Sequence, residues 1–265
     1  MNLIKEFTPV DASALVDEQG FNPAVLIPVY NHEKAIGLTL GNVLQHKLPV
    51  LLVDDGSEPD CRDALTALAE KHSGHVTLLR LRENAGKGAA VKAGMRALFA
   101  EGYSHAVQID ADGQHDVTDL PRFLEMGKDN FTALVTGYPK YDESIPKVRY
   151  YGRYLTHIWV WINTLSFEIY DAMCGFRVYP LENTVRLINE EKCGDRMDFD
   201  PEVIVRWSWR GGKIKNLPTG VSYPSDGVSH FNIWHDNFLI SWMHTRLFFG
   251  MLWRLPRILW WRLNG

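Results

Sequence analysis

Two carboxylates one residue apart, Asp110 and Asp112, close an apolar run at residues 106–109. A buried strand that ends so abruptly puts both side chains at one mouth of a sheet, where they can share a hard divalent cation. Mg²⁺ and Mn²⁺ favour oxygen donors, take few protein ligands and leave positions for phosphate oxygens. Gln114 adds a neutral oxygen, and Gly113 permits a tight bend. The same residue types also make an ordinary turn that caps a helix, so the reading depends on what else reaches this mouth.

More polar groups do. Glu33 follows an apolar strand at 23–29, and Asp54 and Asp55 follow a second at 50–53. A third strand, 76–81, leads into Asn84, Ala85, Gly86, Lys87 and Gly88. A helix that starts there offers phosphate its amide end, a lysine and glycines that allow close approach. No Ser or Thr follows Lys87, which departs from the P-loop pattern, and a third-strand position departs from the dinucleotide fingerprint. Metal-binding carboxylates beside a phosphate-attracting helix end are what a nucleoside diphosphate needs.

The elements that must hold these groups follow from periodicity. Four apolar strands, ending with 106–109, alternate with three helical stretches: one carrying Ile36, Leu40, Val43 and Leu44, one over 59–72, and one from Gly88 through Ala100. That alternation predicts a parallel, three-layer α/β/α sheet with ligands beyond its carboxyl ends. A short helix over 120–126, a fifth strand over 133–138, a strand ending near Tyr179, a helix over 199–209 and an edge strand over 213–223 complete the expectation.

The 265 residues fit one domain with an appendage, and a net charge of −4 gives no signal for nucleic acid. Three cysteines without metal-site spacing point to a reducing compartment. The first 20 residues contain neither a signal peptide nor a membrane span. Composition shifts at residue 232. The remainder holds Trp234, Phe238, Trp242, Phe248, Phe249, Trp253, Trp260 and Trp261 among Arg246, Arg254, Arg257 and Arg262. Aromatics with arginines suit a lipid headgroup boundary, whereas a helix pair packed on the domain or on a second subunit is the other reading. Pro256 is expected to interrupt any single helix. The domain division is therefore 1–231 and 232–265.

Five segments in order resemble family 2 glycosyltransferases of the GT-A fold, especially dolichol- and polyprenyl-phosphate hexose synthases. They are 27–31 (Ile-Pro-Val-Tyr-Asn), 53–57 (Val-Asp-Asp-Gly-Ser), 84–88 (Asn-Ala-Gly-Lys-Gly), 110–115 (Asp-Ala-Asp-Gly-Gln-His) and 174–177 (Cys-Gly-Phe-Arg). The resemblance implies inverting, metal-dependent transfer of a single sugar from a UDP- or GDP-sugar. By position, Pro28, Tyr30, Glu33 and Asp54 would line the nucleoside pocket, with Lys87, Gly88, Asp110 and Ala111 completing the nucleotide-sugar site. Asp110, Asp112 and Gln114 would hold Mg²⁺ or Mn²⁺, Asp112 thereby serving catalysis.

For a hydroxyl acceptor a base must take a proton, and among Asp198, Asp200 and Glu202 the choice falls on Asp200. A lipid phosphate needs cations instead: Arg149 and Arg153, four apart on one helix face, and Arg177 are the candidates. The aromatic C-terminal segment favours a lipid acceptor, and hence an enzyme peripheral to the cytoplasmic face of the membrane. A soluble transferase to a non-lipid hydroxyl and a non-catalytic membrane tether are the alternatives, and homo-oligomerisation stays open. Pro224 and His230 replace the Arg and Lys of related synthases. Residues 203–207 lack the Gln of the processive box, which implies single-sugar transfer.

Overall fold

The structure is a computed structural model that describes residues 4–5, 20–140, 147–222 and 233–264, with side chains over 20–140, 152–222 and 234–260. Pro224 and His230 lie outside the described residues. Eight strands form one mixed sheet: β1 (Ile4–Lys5), β2 (Pro23–Val29), β3 (Val50–Asp54), β4 (Val76–Arg80), β5 (His105–Gln108), β6 (Leu134–Lys140), β7 (Arg177–Pro180) and β8 (Ile214–Gly220). Their order across the sheet is β1-β4-β3-β2-β5-β7-β6-β8. The four strands β4, β3, β2 and β5 are mutually parallel, as the alternation predicts. Strand β7 runs against both β5 and β6, and β1 against β4. Neither reversal was foreseen from the sequence.

The helices are α1 (Glu33–Leu44), α2 (Pro59–Lys71), α3 (Lys87–Ala100), α4 (Leu120–Asp129), α5 (Lys147–Thr164), α6 (Leu181–Glu190), α7 (Phe199–Trp209) and α8 (Ile233–Asn264). Residues along β2 alternate between two apolar layers. Ala24 and Leu26 join Val91 and Met95 of α3, Val203 of α7 and Met243 of α8; Val25, Ile27 and Val29 join Leu40 of α1, Leu65 of α2 and Phe123 of α4. A central strand buried on both faces therefore reads as one uninterrupted apolar run. Each fully enclosed Leu or Ile contributes about 1.5–3 kcal/mol of burial free energy.

The C-terminal segment corrects an expectation. It is one continuous helix with Pro256 inside it, where interruption was expected. The proline removes one backbone donor, but Met251 before it and Ile258 after it are both buried, so packing on both sides holds the helix together. Helix α8 lies on α5 and α7. Glu202 of α7, wholly enclosed, accepts hydrogen bonds from Arg206, from Arg246 of α8 and from the backbone of Gly194. One carboxylate thus ties α8 to the segment that precedes α7.

Candidate active site

Strand β5 ends at Gln108, and the chain turns through Asp110–Gly113, Gly113 adopting a φ of 72°. Residues 114–116 then pair with 220–222 beyond the end of β8: Asp116 donates its amide to Gly220 O at 3.1 Å, and Ser222 donates to Gln114 O at 3.0 Å. Asp112 Oδ1 accepts the amide of Gln114 at 3.0 Å. The turn is thereby fixed at both ends and holds Asp110 at the carboxyl mouth of the parallel strands.

Lys87 points into this mouth. Its Nζ lies 2.8 Å from each oxygen of Asp110 and 2.8 Å from Asp200 Oδ2. His115 Nε2 approaches Asp110 at 3.7 Å, and Gln108 donates to Asp200 Oδ1 at 3.3 Å. Burial opposes charge on both Lys87 and Asp110, yet their pairing wins. The Asp110 and Asp200 carboxylates lift the lysine above its ordinary range, and Lys87 with His115 holds Asp110 far below the usual carboxylate range. The result is an acid–lysine–acid bridge between β5 and α7.

Asp55 shapes the neighbouring loop. It accepts the amides of Ala85 and Gly86 at 2.8 and 2.9 Å, while burial pushes its carboxyl up to about 6. Asp54 accepts the Ser57 amide at 2.9 Å and pairs with buried Arg80 at 2.6 Å. Asn31, held at a φ of 51°, accepts the Glu58 amide at 2.8 Å. These bonds lock together the loops after β2, β3 and β4. Tyr30 is half-buried and Glu33 exposed at the same edge, while Pro28 and Ala111 are enclosed.

From the other half of the chain, Arg153 of α5 grips Asp171 with two hydrogen bonds at 2.5 and 2.8 Å, and His157 adds a contact at 3.3 Å. Burial alone would raise the Asp171 carboxyl, but the Arg153 guanidinium, with the His157 contact, holds it below the ordinary range. Asp171 in turn accepts the amides of Met173 and Cys174, which sets the course of the chain into Gly175. There the fit is close. A Cβ placed on Gly175 would stand 2.1 Å from Asp110 Oδ2, so only glycine lets the backbone lie against that carboxylate.

Residues 24–185 match the glycosyl transferase family 2 model. The chain belongs to that family. This glycosyltransferase is 31% identical over 207 residues to an undecaprenyl-phosphate mannosyltransferase of Micrococcus luteus, covering 73% of this chain and 80% of the relative. It is 28% identical over 225 residues to a dolichyl-phosphate beta-glucosyltransferase of Dictyostelium discoideum, covering 77% and 64%. Among solved structures, it shares the GT-A fold with a Pyrobaculum calidifontis mannosyltransferase in complex with GDP-Man and Mn²⁺. The TM-score is 0.53 at 16% identity, over 92% of this chain and 75% of that one.

Several roles expected of the glycosyltransferase's residues look different in place. Gly86 and Gly88 admit protein rather than an open phosphate cradle. Added Cβ atoms would meet Asp195 O at 2.4 Å and Phe199 Cβ at 2.5 Å, and the Ala89 amide is already bonded to Asp195 O. Lys87 faces two carboxylates instead of the solvent beyond its helix end. Arg177 is fully enclosed and donates to Asp200 O, Ala172 O and Tyr179 Oη. It supports the backbone that carries Asp200. Arg153 serves the Asp171 turn, and the side chain of Arg149, one turn earlier on α5, lies outside the described residues.

Sequence reasoning passed over Gln108, His115 and Asp171. Gln108 is a buried amide in an apolar strand, a signal that could have flagged it. For Asp171 only its place just before the Cys-Gly-Phe-Arg segment gave a hint.

Proposed function

We propose that this glycosyltransferase moves one sugar from a nucleoside-diphosphate sugar to a polyprenyl phosphate at a membrane surface, with inversion. The observation that carries the acceptor is the outer face of α8. Trp234, Phe238, Trp242, Phe249, Trp253 and Trp260 are all more than half exposed, and helical geometry puts them on one face. Tyr154, Leu155, Trp159 and Ile162 of α5, the helix packed beside it, are exposed as well. So large an uncovered apolar area marks an interaction surface. No helix among the described residues is long and apolar enough to cross a membrane. The named relatives act on dolichyl and undecaprenyl phosphates.

In the reaction, an oxygen of the lipid phosphate attacks C1 of the sugar. The bond from C1 to the nucleoside diphosphate breaks, its electron pair leaves on the diphosphate oxygen, and a single displacement inverts C1. An anionic acceptor needs no base. Asp200 then acts by holding Lys87, and Arg149 is the acceptor cation that the start of α5 offers. Tyr30, Glu33 and the loop fixed by Asp54 would receive the nucleoside.

Asp110, Asp112 and Gln114 supply hard oxygen donors of the kind that suit Mg²⁺ or Mn²⁺, and they share one turn at the end of β5, where Lys87 now neutralises Asp110. No group of three or more His, Cys, Asp or Glu is gathered for a metal among the described residues, so diphosphate oxygens would have to complete the shell. Such an ion, when bound, neutralises charge on the departing nucleoside diphosphate.

The test is turnover of a UDP- and GDP-sugar panel by the full-length protein with Mn²⁺, offering polyprenyl phosphate against the corresponding polyprenol. Product on the phosphate alone is expected. Product on the free alcohol alone would transfer the base role back to Asp200 and refute the lipid-phosphate reading.

A further inference from the structure

A second charged cavity lies away from the sugar-transfer mouth. It is an open cleft of about 590 Å³ between α6, the end of α7, the start of β8 and the later turns of α8. Strand β7 is antiparallel to both β5 and β6, and β6 is parallel to β8, so β5, β6 and β8 run the same way. Thr132 and Lys213, which line the cavity, come just before β6 and β8 begin. Asp110 comes just after β5 ends. The cavity therefore opens at the opposite end of the sheet from Asp110.

Its lining is cationic. Arg186, Arg210, Lys213, Arg254 and Arg257 face two carboxylates, Glu190 and Glu191. Those carboxylates are already engaged: Glu190 by Arg186 and Arg210, both at 2.9 Å, and Glu191 by Arg206 and Arg210, both at 2.7 Å. Arg254 reaches Glu191 only at 3.9 Å and lies over the Trp209 ring at 4.9 Å. Lys213 and Arg257 are exposed and have no ion-pair partner among the described residues. Guanidinium forks and an ammonium around a cavity of this size are suited to a phosphate group.

The cavity also borders the aromatic face of α8. Arg254 and Arg257 follow Trp253, whose side chain is 86% exposed. A 32-residue helix is about 48 Å long, enough to reach from the α5 contact to the far end of the domain. We propose that this cavity is a second, non-catalytic site for a phosphate-bearing anion, presented by the headgroup of an anionic phospholipid. The lipid source rests on the bilayer reading of α8; the phosphate chemistry does not.

The test uses full-length protein and the exposed pair Lys213→Glu with Arg257→Glu, against a control of equal charge change elsewhere, Lys34→Glu with Lys71→Glu. Partition onto phosphatidylcholine vesicles, with and without phosphatidylglycerol, is measured by co-sedimentation. Thermal stabilisation by inorganic phosphate is measured without vesicles. Phosphatidylglycerol is expected to raise partition of wild type and control about tenfold. The cavity variant should lose that increment, keep its binding to phosphatidylcholine and retain sugar transfer in detergent. Stabilisation by inorganic phosphate that the cavity variant alone loses, with no effect of phosphatidylglycerol, keeps the anion site and overturns its lipid source. If neither probe separates the cavity variant from wild type, or the control loses as much, the site is refuted. Because the deciding readouts, vesicle partition and stabilisation by phosphate, are binding, failure here is distinct from failure of the transfer reaction.

Discussion

Lys87 and Asp200 meet at 2.8 Å although they come from opposite halves of the chain, one opening α3 and the other in the first turn of α7. The same ammonium lies 2.8 Å from Asp110. The positive charge at the mouth is thus internal, held between an acid that follows β5 and an acid that opens α7.

Removing that charge leaves a half-buried and a buried carboxylate facing each other. Lys87→Met is expected to cost about 3 kcal/mol in urea unfolding and to abolish transfer. Adding Asp200→Asn should recover part of the stability and none of the activity. A Lys87→Met protein as stable as wild type would show that the bridge is not formed in solution.

Gly175 has no room for a methyl group, so Gly175→Ala must push Asp110 aside. A displacement near 1 Å at a reacting site can cost on the order of 10²-fold in rate. That loss in kcat is expected with circular dichroism unchanged. Gly152→Ala on α5, where a Cβ meets nothing within 4 Å, should leave turnover alone and stabilise the helix by about 0.5–1 kcal/mol.

Arg177→Lys separates support from acceptor binding. The substitution breaks the fork to Asp200 O and Ala172 O, so stability should fall by about 3 kcal/mol and kcat should drop. The KM for polyprenyl phosphate should stay within about twofold, because the enclosed guanidinium does not touch the acceptor. A large rise in KM at unchanged kcat would restore Arg177 as a phosphate ligand.

His105 sets an acid limit on the fold. It sits between Phe21 and Phe131, with ring centroids at 4.7 Å from each, and contacts Phe131 O through Nε2 at 2.9 Å. Burial lowers its pKa to about 4 from the ordinary 6.5. Between those values the unfolded chain binds the extra proton, so stability is full above pH 6.5 and falls as pH drops toward 4. The loss is up to about 3 kcal/mol. Urea unfolding of wild type and His105→Phe across this range should show the shallower slope in the variant.

Much of the fold was legible because a strand buried on both faces writes itself as an unbroken apolar run, as 23–29 and 50–53 do. Strand direction has no such signature. A four-residue stretch such as Arg177–Pro180 reads the same whichever way it runs, and its reversal is what carries Gly175 to Asp110. Pro256 misled for a different reason: a local rule about one missing donor yields to side chains packed on both sides of it. Asp110 could be named from its place at a strand end, and Asp200 from the acids that open a helix. Their partners could not, because the orientation of Lys87 and the enclosure of Arg177 depend on contacts between distant segments that spacing does not encode.

The Glu202 carboxylate, shared between Arg246 and the Gly194 amide, bears on how a detergent-free preparation should be engineered. Deleting α8 would strip Met243 and Leu247 from the core and take away one of the two arginines on an enclosed carboxylate, so a shortened chain would fail for reasons unrelated to greasiness. The sounder route keeps the helix and repaints its outer side, exchanging Trp234, Phe238 and Trp253 for polar residues while the inward side stays as it is.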